Sequence, residues 1–382
     1  MVVLLNRICI VFVLACIFFR PFCVISYATT TDDVALSASS AVLLNAQTGE
    51  IVYEKNCHEK RGIASTTKIM TSVLLLENLD LSNEIKVKGE DVKIEGTSIG
   101  LKADDVVTVE VLLKGMLLES GNDAANVTAT AVSGTIDAFS VLMNEKAKSI
   151  GMKNTSFKNP SGLTEEGHFS TAYDMALLAR YALSNPEFKI ICSLKQARVS
   201  YGNPPYERTF TNHNKLLDSC EGVFGVKTGF TKASGRCLVS ACERNGLTLI
   251  AVTLKAPDDW NDHKKLYDYG FKKSVKRIVQ FDDSGIKVNV VGSNKQHVKV
   301  ELLSELSFFS AKKIETKTIV YCEQFLYADI KCGDVVGKVE VRDSFNNLIC
   351  ESYLVSKENA FLDFEPQDKP PSLLDKLKKI KG

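Results

Sequence analysis

Ala64-Ser65-Thr66-Thr67-Lys68-Ile69-Met70-Thr71 is the stretch on which the reading of this chain turns. Ser65 and Lys68 stand three residues apart at the head of a run in which Ile69, Met70, Val73, Leu74, Leu76 and Leu79 recur with helical spacing. The run is too apolar for a surface helix, so a lysine at its start needs a reason to be there. Residues three apart share a helix face, with Cβ atoms about 5–6 Å apart. A desolvated amine disfavours its charged form, so Lys68 can take a proton from the Ser65 hydroxyl. The positive end of the helix favours negative charge developing at the serine. A plainer account also stands, with Ser65 as a helix cap and Lys68 in a partly buried ion pair. The same spacing recurs at Ser284-Gly285-Ile286-Lys287 and Ser310-Ala311-Lys312-Lys313, in short polar stretches, and is read as accidental there.

Two further short motifs follow in order. Ser120-Gly121-Asn122 lies between an apolar helix expected over residues 107–118 and a small-residue helix over 124–132. A loop there can project a hydroxyl that relays a proton and an amide that holds a carbonyl; a helix cap is the alternative. Ser344-Phe345-Asn346 also fits the bare pattern. Lys227-Thr228-Gly229 occurs once, ahead of strands expected over residues 236–242 and 247–254 that Asn245-Gly246 joins as a hairpin. On a neighbouring edge strand, lysine and threonine can bind a carboxylate by charge and by hydrogen bond. Glycine there lets a substrate backbone approach closely. A solvated lysine before a turn is the bland reading. Each motif is common singly, but the ordered set is close to the signature of penicillin-binding proteins and class A β-lactamases.

Around these motifs the chain organises itself. Residues 41–53 form a hairpin about the turn at 45–50, and helices are expected over 138–150, with Gly151 as stop, over 171–183 and over 263–271. This is an α/β (α+β) plan, one antiparallel sheet packed with a helical cluster, over residues 37–274. From about residue 275 the character shifts to short β runs at 286–291, 298–302, 319–325, 335–341 and 348–354, read as a small all-β, sandwich-like domain over 275–363. Residues 364–371 read as a linker. The tail over 372–382 places Leu373, Leu374, Leu377 and Ile380 on one helical face and four lysines on the rest. It can lie on an anionic membrane surface, or fray, being short for an isolated helix.

The N-terminus reads as an export signal over residues 1–28, with the apolar run 8–19 and the small residues Ser26 and Ala28 before a cut, then a polar leader over 29–36. An uncleaved anchor is the alternative. Of 11 cysteines, Cys9, Cys16 and Cys23 leave with the signal. The remaining eight permit disulfides, but their sparse spacing favours buried free thiols. The five histidines show no ligand spacing with the cysteines, so no metal or cofactor is expected. A net charge of +1 excludes bulk nucleic-acid binding.

The chain resembles the low-molecular-mass serine D-Ala-D-Ala carboxypeptidases, serine peptidase family S11, over roughly residues 37–365. The resemblance is carried by Ala64 to Thr71, by Gly96-Thr97-Ser98-Ile99-Gly100-Leu101, and by Leu118-Glu119-Ser120-Gly121-Asn122-Asp123-Ala124-Ala125. Asn159-Pro160-Ser161-Gly162-Leu163 and Gly225-Val226-Lys227-Thr228-Gly229-Phe230-Thr231 continue it. It implies a serine β-lactamase/transpeptidase-like fold. It also implies that Ser65 is the acylated nucleophile, Lys68 its general base, and Ser120 and Asn122 a proton shuttle and substrate support. Lys227 and Thr228 would hold the terminal carboxylate, with Gly229 beside them, and the backbone N–H groups of Ser65 and Phe230 would form the oxyanion hole. The implied partners are peptidoglycan stem peptides and, as covalent inhibitors, β-lactam antibiotics, outside the cytoplasm at the outer face of the membrane. Two departures are Ile63, where the family usually has proline, and Asp104, where a turn glycine is common. A class A β-lactamase, which shares the motif plan, usually has Ser-Asp-Asn and lacks the β-rich region. A D,D-endopeptidase of the same superfamily and a non-catalytic wall-binding protein also compete with the carboxypeptidase reading.

Overall fold

The computed structural model describes residues 34–363. The chain divides into two units, Met1–Ala35 and Leu36–Gly382, and every element below belongs to the second. The expected signal, linker and basic tail lie outside the described residues.

The hairpin is β1 (Ser40–Asn45) and β2 (Ile51–Lys55), turned by Asn45, whose Oδ1 accepts from Gln47 N and Thr48 N at 2.9 and 3.2 Å. A 3-10 turn, Ala64–Thr67, leads into α1 (Lys68–Asn78), whose first eight residues are all buried. A helix apolar on every side must be central, and this one is. The short strands β3 (Glu84–Lys86) and β4 (Val106–Thr108) pair antiparallel. The helix expected from residue 107 therefore starts two residues later, as α2 (Val109–Leu117). The reason is local: Thr108 stays extended and its hydroxyl accepts from Val111 N, an N-cap. Then come α3 (Asn122–Ser133), α4 (Ile136–Ser149) and α5 (Ala172–Leu183), the last two capped by Thr135 and Thr171. Gly151 follows α4 at φ +87°, a left-handed stop.

Sequence patterning did not single out α6 (Pro186–Cys192) or the hairpin β5 (Gln196–Gly202) and β6 (Pro205–Thr211). The signal for α6 was present, since Asn185 caps and Pro186 opens it. After α7 (Leu216–Ser219) come β7 (Val223–Thr231), β8 (Gly235–Arg244) and β9 (Leu247–Leu254). Asn245 and Gly246, between β8 and β9, both have positive φ, as a two-residue hairpin turn requires. The five strands form one antiparallel sheet in the order β2-β1-β9-β8-β7, with β7 at an edge. Strand alternation then sorts the core. Val42, Leu44, Val239 and Val252 face the helical cluster around α1, while Ala41, Leu43, Leu249 and Ala251 face α8 (Asp259–Lys273).

The C-terminal part contains β10 (Val275–Ile278), β11 (Lys287–Val291), β12 (His297–Leu302), β13 (Ser307–Ser310), β14 (Thr316–Cys322), β15 (Phe325–Tyr327), β16 (Val335–Asp343) and β17 (Leu348–Ser356). Six of them make a curled sheet ordered β14-β16-β17-β12-β11-β15 around Val298, Val339, Val341 and Leu354, while β10 pairs with β13. The strand expected over 319–325 is two pieces, because β14 pairs with β16 while β15 crosses to pair in parallel with β11. The Glu50 carboxylate, in the β1–β2 turn, accepts from Ala311 N and Lys312 N and so joins the hairpin to this region. All eight cysteines of the described residues are free thiols.

Helix α8 approaches the sheet most closely at Gly270, where a Cβ would lie 2.4 Å from Leu43 Cδ2 and 2.7 Å from Leu249 Cδ1. Both leucines are fully buried and have no room to retreat. Gly270→Val is expected to destabilise the protein by about 1–3 kcal/mol despite removing a helix glycine. A lower Tm by calorimetry checks this; an unchanged or higher Tm would mean the interface is looser than its geometry.

Candidate active site

The 3-10 turn is pinned by its own threonines. Thr66 Oγ1 donates to Ile63 O at 2.6 Å and Thr67 Oγ1 to Ala64 O at 2.8 Å. Ala64 is left-handed, at φ +46°, and this non-glycine strain stands directly before Ser65. His168 supports the turn from behind. Its Nδ1 accepts from Lys158 N at 3.2 Å, so the remaining N–H, on Nε2, faces Thr67 Oγ1 at 2.9 Å. Burial pushes this imidazole down to about 4, keeping it neutral.

Lys68 follows one helical turn after Ser65 and is fully buried. Its Nζ is 2.7 Å from Asn122 Oδ1, 2.8 Å from Ser161 O and 3.1 Å from Ser65 Oγ. Burial first, and then the charge of Lys227, hold this amine well below the usual lysine range, against an opposing pull from Asp123. A neutral amine has two N–H bonds and one lone pair. With both N–H bonds given to Asn122 and Ser161, the lone pair is left for the Ser65 hydroxyl. The plain cap-and-ion-pair account of these two residues fails, since Lys68 has no carboxylate partner among the described residues.

Ser65, Thr97, Ser120, Thr228, Gly229 and Phe230 line one cavity of about 330 Å³. Ser120 enters it from a left-handed backbone at φ +63°, directly before Gly121, the residue that caps α3. Asn122, expected to support substrate through its amide, also binds within the protein. Its Oδ1 is taken by Lys68 and its Nδ2 donates to Glu95 O at 2.8 Å, so one N–H remains for anything else. Asp123, not singled out from the sequence as a site residue, is almost fully buried and accepts from Ser98 Oγ, Ile99 N, Leu101 N and Ala124 N. It fastens the 96–101 loop to the start of α3. The signal was its place in the first turn of a helix following Ser120-Gly121-Asn122.

Lys227 is not the solvated lysine of the bland reading. It is 1% exposed, its Nζ donates to Thr228 O at 2.9 Å, and burial pushes it down to about 7. Gly229 has a packing task besides the one expected. A Cβ there would lie 3.0 Å from Ser65 N and Thr66 N, so the 3-10 turn approaches this glycine closely. This packing sets the edge strand β7 against the turn that carries Ser65. The cations at the cavity's rim are Lys215 and Arg236; the latter pairs with the buried Asp259 at 2.7 Å. Neither was anticipated. None of Lys287, Lys313 and Ser344 from the accidental motif copies lines the cavity. The assembled site can carry out acyl transfer: a hydroxyl, a neutral base in reach, and a cavity open to a peptide.

A family model described as D-alanyl-D-alanine carboxypeptidase matches residues 27–258, more than half of the chain. The chain belongs to the D-alanyl-D-alanine carboxypeptidase family. It is 32% identical over 343 residues to D-alanyl-D-alanine carboxypeptidase DacF of Bacillus subtilis, covering 86% of this chain and 87% of that one. It is 35% identical to DacC of Escherichia coli, covering 81% of each chain. The crystal structure of the D-alanyl-D-alanine carboxypeptidase DacD from Francisella tularensis superposes with a TM-score of 0.61 at 27% identity, covering 86% of this chain and 95% of that one. The protein is thus a serine-type carboxypeptidase of the penicillin-binding class, with the fold of that class. Family members act on peptidoglycan peptides and bind β-lactams.

The electrostatics of this carboxypeptidase site give a signed expectation. Charged Lys227 disfavours charged Lys68 and so lowers its pKa. Lys227→Met removes that effect, the Lys68 pKa rises, and the acidic limb of the penicillin acylation rate moves to higher pH. Stopped-flow acylation across pH checks this, and a limb that stays or moves down overturns the coupling.

Proposed function

We propose that this carboxypeptidase removes the terminal D-alanine of peptidoglycan stem pentapeptides through an acyl-enzyme on Ser65. The observation that carries the reading is the fully buried Lys68 amine within 3.1 Å of Ser65 Oγ, oriented by two carbonyl oxygens. Ser65 Oγ attacks the carbonyl carbon of the D-Ala-D-Ala bond as its proton passes to Lys68 Nζ. The oxyanion is met by the backbone N–H groups of Ser65 and Phe230, which the contact at Gly229 supports as neighbours; one such donor is typically worth about 10²–10³ in rate. The C–N bond breaks, the leaving amine takes a proton through Lys68 and Ser120, and D-alanine departs. Water then attacks the ester, returning the proton to Ser65 and releasing the shortened stem. A β-lactam ring opens by the same attack, and its acyl-enzyme hydrolyses slowly.

For the substrate carboxylate, Thr228 supplies a hydroxyl in the cavity and Lys227 a cationic field from behind the strand. Arg236, on the rim and always charged, adds to that field. We further propose that residues 37–274 form the peptidase and 275–363 a separate β-rich domain. The signal over 1–28 exports the chain, and the basic tail over 372–382 rests on the outer face of the cytoplasmic membrane. No helix of the described residues is long and apolar enough to cross a membrane.

Release of D-alanine from diacetyl-Lys-D-Ala-D-Ala, with and without prior labelling by a fluorescent penicillin, tests the chemistry. Wild-type release should be blocked by labelling, and Ser65→Ala should lose both release and label. Release by the alanine variant would mean another nucleophile. For the tail, deleting residues 372–382 should move the protein from the membrane to the soluble fraction, and unchanged partitioning would end the anchor proposal.

A further inference from the structure

We propose that Glu54, Cys57 and His58 form a zinc-binding site on the turn that follows β2. Read as a linear pattern, these residues carry no ligand spacing, because Cys57 and His58 are neighbours, and neighbours along a strand point apart. The turn removes that obstacle. Asn56 adopts a left-handed conformation at φ +46° directly after β2, and Glu59 N closes the turn onto Asn56 O at 3.1 Å. One ligand atom from each of Glu54, Cys57 and His58 then lies within 4.8 Å of the others.

The donor set fits a particular ion, once ligand atoms that lie within 4.8 Å of one another draw together around it. Cys57 Sγ is 3.4 Å from Glu54 Oε2. A tetrahedral zinc with Zn–S of about 2.3 Å and Zn–O of about 2.0–2.2 Å separates its sulfur and oxygen ligands by about 3.5 Å. A thiolate, an imidazole and a carboxylate suit zinc, whereas magnesium and calcium call for oxygen ligands alone. Three protein ligands leave the fourth position for water, and an open cavity of about 620 Å³ over Glu54 to Glu59 admits it. Binding forms a Zn–S bond as the Cys57 S–H proton leaves to solvent.

The surroundings hold the ligands in place. The His58 ring packs on Tyr173 of α5, with centroids 5.0 Å apart, and Tyr173 N donates to Cys57 O at 3.0 Å. Cys57 is buried while Glu54 and His58 are exposed, so the thiol forms the floor of the site and the other two close over the ion. An ion there ties the end of β2 to the segment that runs from Asn56 to the 3-10 turn bearing Ser65. This inference is independent of the chemistry proposed for Ser65.

Titration of the purified chain with Co²⁺, followed by Zn²⁺, tests the site. One equivalent of Co²⁺ should give a thiolate-to-metal charge-transfer band that Zn²⁺ abolishes. The band should be absent in Cys57→Ser, and zinc affinity should fall at least about 10-fold in both His58→Ala and Glu54→Gln. Zinc at a hundredfold excess over Kd should raise the wild-type Tm by on the order of 5 °C. A wild-type protein without the band, or a band that survives in Cys57→Ser because another of the cysteines carries it, overturns the proposal. Should Cys57→Ser fail to unfold cooperatively, the exposed His58→Ala decides, since zinc affinity unchanged there overturns it equally.

Discussion

The acyl transfer proposed for this molecule depends on one amine kept without water. Lys68 begins a helix buried on every side, and burial makes its neutral form the comfortable one. A neutral amine in the open would still point its lone pair anywhere. Here the side-chain carbonyl of Asn122 and the backbone carbonyl of Ser161 hold its N–H bonds and so aim it. Those two carbonyls come from α3 and from the 159–163 loop, each of which must be correctly placed for the aim to hold. Asp123 places the first by anchoring the 96–101 loop. The second is placed by Thr71, whose hydroxyl donates to Pro160 O at 2.6 Å, and by Gly162, where a Cβ would overlap Ala64 O.

Much of this was legible in the sequence, and the pattern of what was and was not has a physical cause. The helix at Lys68, the hairpin at Asn245-Gly246 and the strands flanking it declare themselves because their signals are local: an apolar period, a turn pair, an alternation. Ser65, Ser120, Thr228, Gly229 and Phe230 converge on one cavity, as their order along the chain had suggested. The parts that escaped are those whose partners are remote in sequence. The side-chain carbonyl of Asn122 holds Lys68, a residue 54 positions earlier. Gly229 is needed by the backbone of Ser65, which no reading of Lys-Thr-Gly alone can reveal. The hairpin of β5 and β6 is amphipathic only in part, and much of it is exposed, so it carries a weak periodic signal.

Two of the left-handed non-glycine residues stand at the site. Ala64 and Ser120 are both left-handed without being glycine, and each immediately precedes or is itself a residue of the cavity. Asp104, which departs from a common turn glycine, also takes a left-handed backbone at φ +68°. The conformation survives the substitution because its exposed side chain meets Lys86 at 2.8 Å and the surrounding turn bonds to Val87 O. Aspartate is among the residues that tolerate that region.

The central burial of α1 has a consequence for how this protein could evolve under a covalent inhibitor. Behind Ser65 and Gly229, which line the cavity, stand side chains locked by one another: Lys68 is held by Asn122 and by the Ser161 carbonyl. A substitution there would disable the enzyme together with the drug's target bond. The freedom to discriminate between a stem peptide and an antibiotic lies instead at the rim, where Phe230 is 64% exposed and Lys215 and Arg236 face outward. A residue at that periphery can change the fit of a large antibiotic side chain and leave the reacting atoms untouched.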